Sequence, residues 1–323
     1  MMNFHLRLRE FDEALRPVST CRTREETNVK IGIAGTGRMG EAIGFRLMGL
    51  GHELTVWNRT AGKTKALADA GARVAASPAA LAGTVDIIIT ILTDAKAIDA
   101  LYHGPQGLLS GNVAGKLFIE MSTVQPEVEI ALGAKVGQKG AALVECPVGG
   151  TTGPARQGKL FGFAGAADAD MARARPLLES LCRRLEHVGP VGAGSRIKLA
   201  INLPLFVYWQ ALGEALLLCR PLDLEPERLL SIFADSSGGA NVLKVRSPMI
   251  AAQLAGKDPG PVNFAVELVC KDLKTMIAEA KSLGGTLPAA ETALKCFEEA
   301  ARSGLAAKDQ SVLPARWATS VGR

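Results

Sequence analysis

Short apolar runs alternate with longer stretches of mixed polarity through the first half of the chain. A run of four to eight apolar residues between turns is typical of a buried strand, and strands that alternate with helices form a mostly parallel sheet. The pattern therefore predicts an α/β fold, with a doubly wound sheet and helices on both of its faces. The predicted strands cover residues 29–34, 53–57, 72–75, 85–92, 117–121 and 142–146, and the first predicted helix covers residues 41–50.

The second half of the chain has longer apolar patterns. Residues 203–218 are almost wholly apolar, which predicts a helix buried along most of its length between two domains. Two more helices are predicted over residues 262–287 and 288–304, and the apolar face of the last fits either a domain core or a dimer seam. A membrane span is not predicted, because polar residues and a proline interrupt or close the run. These residues are Pro204, Gln210, Glu214 and Arg220.

The length of the chain sets its domain organisation. A chain of 323 residues exceeds what one core usually serves, so two domains are expected. Residues 1–28 lack the apolar segment of a secretory signal, and we interpret them as a loose extension or the product of an upstream start codon. The predicted division is 1–28 as a polar N-terminal extension, 29–192 as the sheet domain, 193–316 as a helical domain and 317–323 as a tail.

Composition and charge argue against several classes of function. The net charge of +5, from 37 basic and 32 acidic residues, is too small to indicate a nucleic-acid partner. Six cysteines without CxxC spacing and four histidines without paired ligand spacing predict neither a disulfide framework nor a metal site. Free thiols fit a reducing compartment, so we expect a cytoplasmic protein.

A glycine-rich turn joins the first predicted strand to the first predicted helix. Its first glycine permits a tight turn, its second permits close approach of a pyrophosphate, and its third permits packing of helix on strand. The start of the helix would supply amide groups to the phosphates, so the segment predicts a dinucleotide site. The cofactor-binding residues predicted here are Gly35, Thr36, Gly37, Arg38, Met39 and Gly40.

The end of the second predicted strand indicates which dinucleotide binds. An acidic side chain there would bind the ribose 2′-hydroxyl and repel a 2′-phosphate. The chain instead has Asn58, Arg59 and Thr60, with Lys63 close behind. This favours NADP(H) over NAD(H), and a basic surface turn is the alternative.

Two further strand ends are expected near the nicotinamide half of the cofactor, because ligands gather at the carboxyl ends of parallel strands. Thr93 and Asp94 stand as a pair at one of these ends, directly after Leu92, and Ser122 and Thr123 stand at the other; Leu92, Thr93 and Thr123 are predicted to contact the cofactor. For each pair a role in helix capping is an equally good interpretation.

Lys198 and Asn202 lie four residues apart near the start of the long apolar stretch. At this spacing the two side chains share one helix face, so both can reach a single small substrate. A solvated surface lysine is the alternative. The apolar residues that follow favour a buried setting, where an ammonium needs a partner or a ligand. The pair therefore suits a proton donor and its orienting neighbour.

Five blocks of sequence, taken in order, resemble the β-hydroxyacid dehydrogenase family. The nearest likeness is to its NADPH-dependent glyoxylate/succinic semialdehyde reductases, and it rests on residues 56–60. The resemblance implies a Rossmann domain that binds NADP(H), a long interdomain helix and an all-helical second domain that often forms homodimers or homotetramers. The blocks are residues 35–40, 120–123, 147–160, 194–202 and 271–273.

The resemblance also implies roles for individual residues. Lys198 is implied as the general acid and base and Asn202 as its partner. The implied substrate is a small carboxylate-bearing aldehyde or hydroxy acid, of the glyoxylate, succinic semialdehyde or 3-hydroxyisobutyrate type. Phe264 and Lys271 are implied near the cofactor, although Phe264 is more often a core residue in such an apolar stretch, and Lys271 is also a candidate for lowering the pKa of Lys198. The substrate carboxylate is expected at Ser122, Gly149, Gly150 and Thr151.

One departure from the family pattern bears on the choice of substrate. The family usually has serine at the position of Gly149 and glycine at the position of Thr151. The backbone amides stay available to a carboxylate, and Thr151 or Thr152 offers a hydroxyl, so the preference among acids is left open.

Two alternatives also stay open. Imine reductases share the architecture but generally lack the lysine, and a non-catalytic NADPH-binding module would keep the fold without the chemistry. Phosphogluconate dehydrogenases are disfavoured, because their helical domain is much longer than the segment that follows Gly194.

Overall fold

The computed structural model describes residues 29–319, so the extension expected at residues 1–28 lies outside the described residues. The described chain forms a sheet domain followed by a helical domain. The strands are β1 (Ile31–Ala34), β2 (Leu54–Trp57), β3 (Arg73–Val74), β4 (Ile87–Thr90), β5 (Leu117–Glu120), β6 (Ala142–Glu145), β7 (Val148–Gly149), β8 (Leu160–Gly165) and β9 (Cys182–Gly189). The helices of the sheet domain are α1 (Arg38–Gly49), α2 (Lys65–Asp69), α3 (Pro78–Thr84), α4 (Ala95–His103), α5 (Pro126–Gln138), α6 (Thr152–Arg156) and α7 (Asp168–Leu181). The remaining helices are α8 (Ala193–Leu218), α9 (Pro226–Asp235), α10 (Asn241–Leu254), α11 (Val266–Ser282), α12 (Pro288–Ala300) and α13 (Val312–Thr319).

The sheet has the strand order β3-β2-β1-β4-β5-β6-β8-β7, and β9 pairs with the free side of β8. Strands β1 to β6 run parallel, β8 runs antiparallel to β6, and β7 runs antiparallel to β8. Each of the six predicted strands is present within its predicted range, and the α/β fold with a doubly wound, mostly parallel sheet is confirmed. The carboxyl ends of β1, β4 and β5 therefore lie side by side, where such folds bind ligands.

Strands β7, β8 and β9 are absent from the sequence prediction. Strand β8 carries Gly162, where a Cβ atom would lie 3.0 Å from Cys146 Sγ and 3.1 Å from Cys182 Sγ. Packing of the two sulfurs thus requires a glycine that weakens the strand signal in the sequence. Strand β9 pairs only with β8 and is largely exposed near its start, so charged residues hide its apolar pattern.

Separate hydrophobic clusters support the two domains. In the sheet domain, Ile33 and Leu47 belong to one cluster, and Ile88 and Phe118 belong to a second. In the helical domain, a third cluster gathers around the fully buried Trp209. Each domain therefore has a core of its own, as the length of the chain predicts.

Helix α8 connects the two domains and packs against β8, β9, α5, α11, α12 and α13. Its buried residues run along one face from Gly194 to Leu216, so the helix is buried along most of its length as expected, whereas Ile201 and Leu218 on its other side are 46% and 82% exposed. An apolar composition does not by itself say how many faces of a helix are covered. Among the described helices, α8 is the one whose length and apolar composition would also suit a membrane span. The buried core helices of other proteins can be equally long and apolar.

The final helices begin and end differently from the prediction. Helix α11 starts at Val266, so Phe264 precedes it; the backbone amides of Asn263 and Phe264 donate to Asp309 Oδ2 instead of joining a helix. Helix α12 ends at Ala300, and a short π-helical turn follows. Residues 317–319, assigned to a tail by the sequence, belong to α13.

Candidate active site

The glycine-rich turn has the shape that a dinucleotide requires. Gly35 has a φ of +101°, and a Cβ atom there would lie 2.3 Å from the carbonyl oxygen of Ile91. A Cβ atom on Gly40 would lie 1.9 Å from the carbonyl oxygen of Gly35, whereas one on Gly37 would meet nothing within 4 Å. Open space above Gly37 and an N-terminus of α1 without a side-chain cap leave the turn free to receive a pyrophosphate. The residues present therefore fit a dinucleotide cofactor.

Side chains from the ends of β1 and β2 hold this turn in place. The backbone amide of Thr36 donates to Asn58 Oδ1 at 3.1 Å, and the Thr36 hydroxyl donates to the carbonyl oxygen of Lys63 at 2.9 Å. Asn58 Nδ2 donates to the carbonyl oxygen of Thr60 at 3.0 Å. Asn58 thus shapes the binding site from within, and Thr36 is almost fully buried.

Arg59 remains available to a ligand. It and Thr60 are exposed beside the turn, and the Arg59 side chain has no hydrogen bond or ion pair within residues 29–319. Arg38 reaches the helical domain instead, where its Nη1 donates to the carbonyl oxygen of Val262 at 2.9 Å. Met39 packs its side chain towards the sheet core.

At the end of β5, Ser122 makes hydrogen bonds within the sheet domain. Ser122 is buried, its hydroxyl donates to Glu120 Oε1, and its oxygen accepts from the amide of Leu92 at 2.8 Å. The Ser122 amide donates to Glu120 Oε2 at 2.8 Å. Through these hydrogen bonds Ser122 supports the Leu92 loop, and its contact with a substrate carboxylate stays a prediction.

At the end of β4, a helix cap uses the residue that follows Thr93. Asp94 is the N-cap of α4, and its Oδ1 accepts from the amide of Ala97 at 2.9 Å. The exposed Thr93 donates its hydroxyl hydrogen to Asp94 Oδ2 at 3.1 Å. Asp94 therefore caps helix α4, and the hydrogen bond from Thr93 holds its carboxylate in place.

Lys198 and Asn202 form the core of a polar chain that crosses the domain boundary. Lys198 Nζ donates to Asn202 Oδ1 at 3.1 Å, and Asn202 Nδ2 donates to Asp272 Oδ2 at 3.4 Å. Lys271 Nζ lies 2.5 Å from Asp272 Oδ1 and donates to the carbonyl oxygen of Thr123 at 2.7 Å. Helices α8 and α11 and the end of β5 are joined through these five residues.

The pKa of Lys198 is lowered to about 8, first because burial disfavours the charged ammonium. The carboxylate of Asp272 opposes this shift, and the nearby ammonium of Lys271 adds to it. A lysine whose pKa lies near neutral pH can both give and take a proton. The sequence-based expectation that Lys271 helps to lower this pKa agrees with the direction of its effect.

The loop after β6 carries the residues expected to bind a substrate carboxylate. Gly149 is half-buried, and a Cβ atom there would have Phe161 Cβ as its nearest neighbour at 3.7 Å, which leaves room for a larger residue. Gly150 has a φ of +128°, and a Cβ atom there would lie 2.8 Å from Leu160 Cδ2. Thr151 is the N-cap residue of α6 without a side-chain cap bond, so its hydroxyl is not used to cap the helix.

Phe264 lies two residues before the start of α11 and is half-buried. It stacks on Phe206 with the ring centroids 6.0 Å apart and an interplanar angle of 12°. One part of the ring thus belongs to the helical core, and another part remains accessible.

A cavity of about 730 Å³ opens between the two domains, and Lys271 of the polar chain lies in its wall. Its walls include Asp94 and Thr123 from the sheet domain and Lys271, Lys274 and Glu298 from the helical domain. Among residues 29–319 there is no group of three or more side chains suited to hold a metal ion.

The sequence does not show that three acidic residues are hydrogen-bond partners in the site. They are Asp272, Glu120 and Glu145. Asp272 directly follows Lys271, and that adjacency is the one available signal for it. Glu120 stands two residues before Ser122, but nothing in the spacing shows that its carboxylate receives the serine hydroxyl. Glu145 acts on residues about fifty positions later, a distance that no local pattern reveals.

Comparison with known proteins covers almost the whole described chain. Residues 30–189 match the NAD binding domain of 6-phosphogluconate dehydrogenase, and residues 192–315 match the NAD-binding domain of NADP-dependent 3-hydroxyisobutyrate dehydrogenase. The 2-(hydroxymethyl)glutarate dehydrogenase of Eubacterium barkeri is 30% identical over 92% of this chain and 97% of its own. Glyoxylate/succinic semialdehyde reductase 1 of Arabidopsis thaliana is 30% identical over 88% of this chain and 97% of its own. A structure of Mycobacterium tuberculosis 3-hydroxyisobutyrate dehydrogenase with L-serine is 25% identical and superposes with a TM-score of 0.77, covering 88% of this chain and 98% of that one.

Proposed function

The chain belongs to the family of NAD(P)-dependent β-hydroxyacid dehydrogenases, and from that premise we propose that it is a reductase that prefers NADP(H). Its substrate is a small aldehyde that carries a carboxylate a few bonds away, and the reaction is reversible. The glyoxylate, succinic semialdehyde and 3-hydroxyisobutyrate types are the candidates, because members of the family act on acids of this size.

The observation that carries the proposal is the polar chain from Lys198 through Asn202 to Asp272. A lysine with a pKa of about 8 is suited to transfer protons near neutral pH. Asn202 holds the ammonium with its amide oxygen, and Asp272 fixes the amide by accepting from its nitrogen. The general acid is therefore oriented before any substrate arrives.

Bound NADPH supplies the hydride for the carbonyl carbon of the substrate. As negative charge builds on the carbonyl oxygen, the Lys198 ammonium stabilises it and donates a proton to it. A general acid in this position contributes about 10² to 10⁴ in rate. In the direction of oxidation, neutral Lys198 accepts the proton of the substrate hydroxyl.

The cofactor preference rests on the end of β2. Arg59 is exposed and has no partner within the described residues, and Lys63 follows the same turn. A 2′-phosphate would give the guanidinium a partner of complementary charge and geometry. Gly35, Gly37 and Gly40 would receive the pyrophosphate, and Leu92, Thr93, Thr123, Phe264 and Lys271 would surround the nicotinamide half.

The substrate carboxylate is proposed to bind at the backbone amides of Gly149, Gly150 and Thr151. The Thr151 side chain makes no cap hydrogen bond, which supports the use of its hydroxyl as a further donor. The extra space at Gly149 changes which acids fit best, and pocket shape decides among substrates that differ by a few atoms.

A homodimer or homotetramer is proposed as the assembly. Large apolar side chains are exposed on three helices of the helical domain, and their burial would favour association. They are Ile197, Ile201 and Leu218 of α8, Ile232 of α9 and Val245 of α10. The five cysteines of the described chain are free thiols, which supports a reducing compartment such as the cytoplasm.

The test is an assay of NADPH oxidation against glyoxylate, succinic semialdehyde and methylmalonate semialdehyde, with NADH in parallel. Turnover that favours NADPH and falls by about 10² or more in Lys198→Ala supports the proposal. Lys65→Ala is the matched control, since Lys65 pairs with Asp69 on the surface. A Lys198→Ala variant within about tenfold of the wild type would overturn the assignment of the general acid. NADPH binding without any turnover would favour the non-catalytic module.

A further inference from the structure

Glu145 is the last residue of β6, and its carboxylate is completely buried against the start of α8. Its Oε1 accepts from the amides of Gly192 at 2.5 Å and Gly194 at 2.8 Å. Its Oε2 accepts from the amide of Ser195 at 3.3 Å and from the Ser195 hydroxyl at 2.7 Å. One side chain thus satisfies three of the backbone donors that a helix N-terminus leaves open.

The backbone closes tightly around this carboxylate. A Cβ atom on Gly165 would lie 2.3 Å from Glu145 Oε1 and 2.7 Å from the carbonyl oxygen of Pro190. A Cβ atom on Gly194 would lie 2.2 Å from the carbonyl oxygen of Phe163. The backbone around the carboxylate therefore leaves no room for a side chain at Gly165 or Gly194.

No lysine, arginine or histidine of the described chain forms an ion pair with Glu145. Its negative charge is met by amides and by the positive end of the α8 dipole. Burial raises the pKa of Glu145, and the hydrogen bonds from Ser195, Gly194 and Gly192 act against that shift. A carboxylate bound in this way resists displacement along the helix axis, since any shift of α8 breaks several charge-assisted hydrogen bonds together.

Glu145 joins two parts of the site proposed above. Ser195 stands three residues before Lys198 on α8. Its hydrogen bonds to Glu145 therefore fix the turn of the helix that precedes the proposed general acid. In the other direction along the chain, Glu145 is followed within four residues by Gly149 of the carboxylate-binding loop. One buried side chain thus connects the strand that leads into the loop with the turn of α8 that precedes Lys198.

We propose that Glu145 is a positioning residue for Lys198, which fixes the start of α8 so that the ammonium meets the carbonyl oxygen of a substrate held by the Gly149 loop. The inference rests on the proposed function. It adds a residue that touches neither substrate nor cofactor and acts only through α8. Misplacement of a catalytic group by about 1 Å costs on the order of 10² in rate. Loss of the hydrogen bonds from the start of α8 to Glu145 should therefore lower the rate measurably.

The test is a double-mutant cycle between Glu145→Gln and Lys198→Ala, measured as single-turnover reduction with saturating NADPH. Glu145→Gln is expected to lower the rate about 10- to 100-fold with the KM for NADPH within about twofold. In the Lys198→Ala background it is expected to change the residual rate by less than about twofold, because the group that it positions is absent. Glu145→Asp, which keeps the charge, is expected to recover part of the rate.

Two outcomes would overturn the inference. One is a Glu145→Gln rate within about twofold of the wild type, and the other is the same fold-loss with and without Lys198, which is what a purely structural role produces. Glu179→Gln is the control, because Glu179 is an acid of the same domain that pairs with Arg175 on the surface, and its rate is expected within about twofold of the wild type. If Glu145→Gln does not fold, Ser195→Ala removes one of the four donors and enters the same cycle, with a loss of about two- to fivefold expected only when Lys198 is present.

A second measurement separates this inference from the proposed function. The rate of acetylation of Lys198, followed by mass spectrometry across pH, reports the ionisation of the ammonium without any turnover. The wild type is expected to show a midpoint near pH 8, and Glu145→Gln is expected to raise the midpoint as the ammonium becomes more hydrated. If no aldehyde is turned over but the midpoint moves, the proposed function fails and the positioning of Lys198 stands. If the wild type turns over and the midpoint and cycle show no coupling, the positioning fails and the function stands.

Discussion

Asn202 Nδ2 lies 3.4 Å from Asp272 Oδ2, although the two residues are seventy positions apart in the chain. This contact fixes which side of the Asn202 amide faces Lys198, because the nitrogen must point to the carboxylate and the oxygen then points to the ammonium. Asp272 also favours the charged form of Lys198, whereas burial and Lys271 disfavour it. One aspartate therefore influences both the orientation and the ionisation of the proposed general acid.

The pH dependence of the reaction should report the pKa of Lys198, which burial lowers to about 8. Reduction needs the ammonium, so its kcat/KM is expected to be constant below this pH and to fall as the pH rises through it. Oxidation needs the neutral amine, so its kcat/KM is expected to rise through the same region. Rates from pH 6 to pH 10 in both directions check this. A reduction rate that stays constant to pH 10 would exclude Lys198 as the acid.

Asp272→Asn should move that midpoint downward. The substitution removes a charge that raises the pKa of Lys198, so the ammonium is lost at a lower pH than in the wild type. The turnover number should also fall about tenfold or more, because asparagine can present its own amide nitrogen to Asn202 and disturb the orientation. Asp69→Asn is the control, since Asp69 pairs with Lys65 on the surface. An unchanged midpoint would show that Asp272 acts by geometry alone.

The sequence predicts the parts of the site that depend on local spacing. The turn from Gly35 to Gly40 and the pair of Lys198 and Asn202 each lie within one short segment, where the period of a strand or helix decides which side chains meet. The contact of Asn202 with Asp272 and that of Glu145 with Gly194 join distant segments, so they depend on how the domains pack. No local period contains that information.

The sequence pattern also does not determine which way a side chain or a helix face points. Ser122 stands at a strand end as expected, yet its hydroxyl turns inward to Glu120. Helix α8 is apolar on several faces, yet one face is covered within the chain. In both cases the residue type fixes what a side chain can do, and the neighbouring elements decide where it points.

Arg59→Ala should weaken the preference for NADP(H). The side chain is exposed and has no partner within the described residues, so its loss removes a contact to the 2′-phosphate without disturbing the fold. The KM for NADPH is expected to rise about tenfold or more, with the KM for NADH changed by less than about twofold. Arg73→Ala is the control, because Arg73 is also an exposed arginine of the sheet domain and pairs with Glu53. An equal rise for both cofactors would contradict a role in binding the 2′-phosphate.

Gly149→Ser should be tolerated and should change the choice of substrate. A Cβ atom at this position meets its nearest neighbour at 3.7 Å, an ordinary contact, and the added hydroxyl can donate to a carboxylate. The ratio of kcat/KM for glyoxylate to that for succinic semialdehyde is expected to change about threefold or more. Gly150→Ala is the contrasting variant, since its φ of +128° and a 2.8 Å contact with Leu160 make it strained. It is expected to lower the free energy of unfolding by about 1–3 kcal/mol. An unchanged substrate ratio in Gly149→Ser would place the carboxylate elsewhere.

Glu129→Gln should stabilise the protein at neutral and alkaline pH. Glu129 lies on α5, is completely buried, and its carboxyl group lies beside that of Glu120 with no cation paired to it in the described chain. Burial raises its pKa well above the ordinary value, and the charges of Glu120 and Glu145 add to that shift. A raised pKa in the folded state means that, at a pH between the two pKa values, the folded protein holds a proton which the unfolded chain has lost. The stability that this proton provides is complete below the pKa of the unfolded chain and declines as the pH rises towards the folded value.

The glutamine variant removes this dependence, because its amide stays neutral in both states. Its free energy of unfolding is therefore expected to exceed that of the wild type by about 1 kcal/mol or more at pH 8, and the difference is expected to vanish near pH 4. Urea unfolding at pH 4, 6 and 8 measures it. Glu127→Gln is the control, since Glu127 lies two residues earlier on the same helix, is exposed, and should change the stability by less than about 0.5 kcal/mol. A difference between Glu129→Gln and the wild type that is the same at all three pH values would mean that Glu129 is ionised in the folded protein.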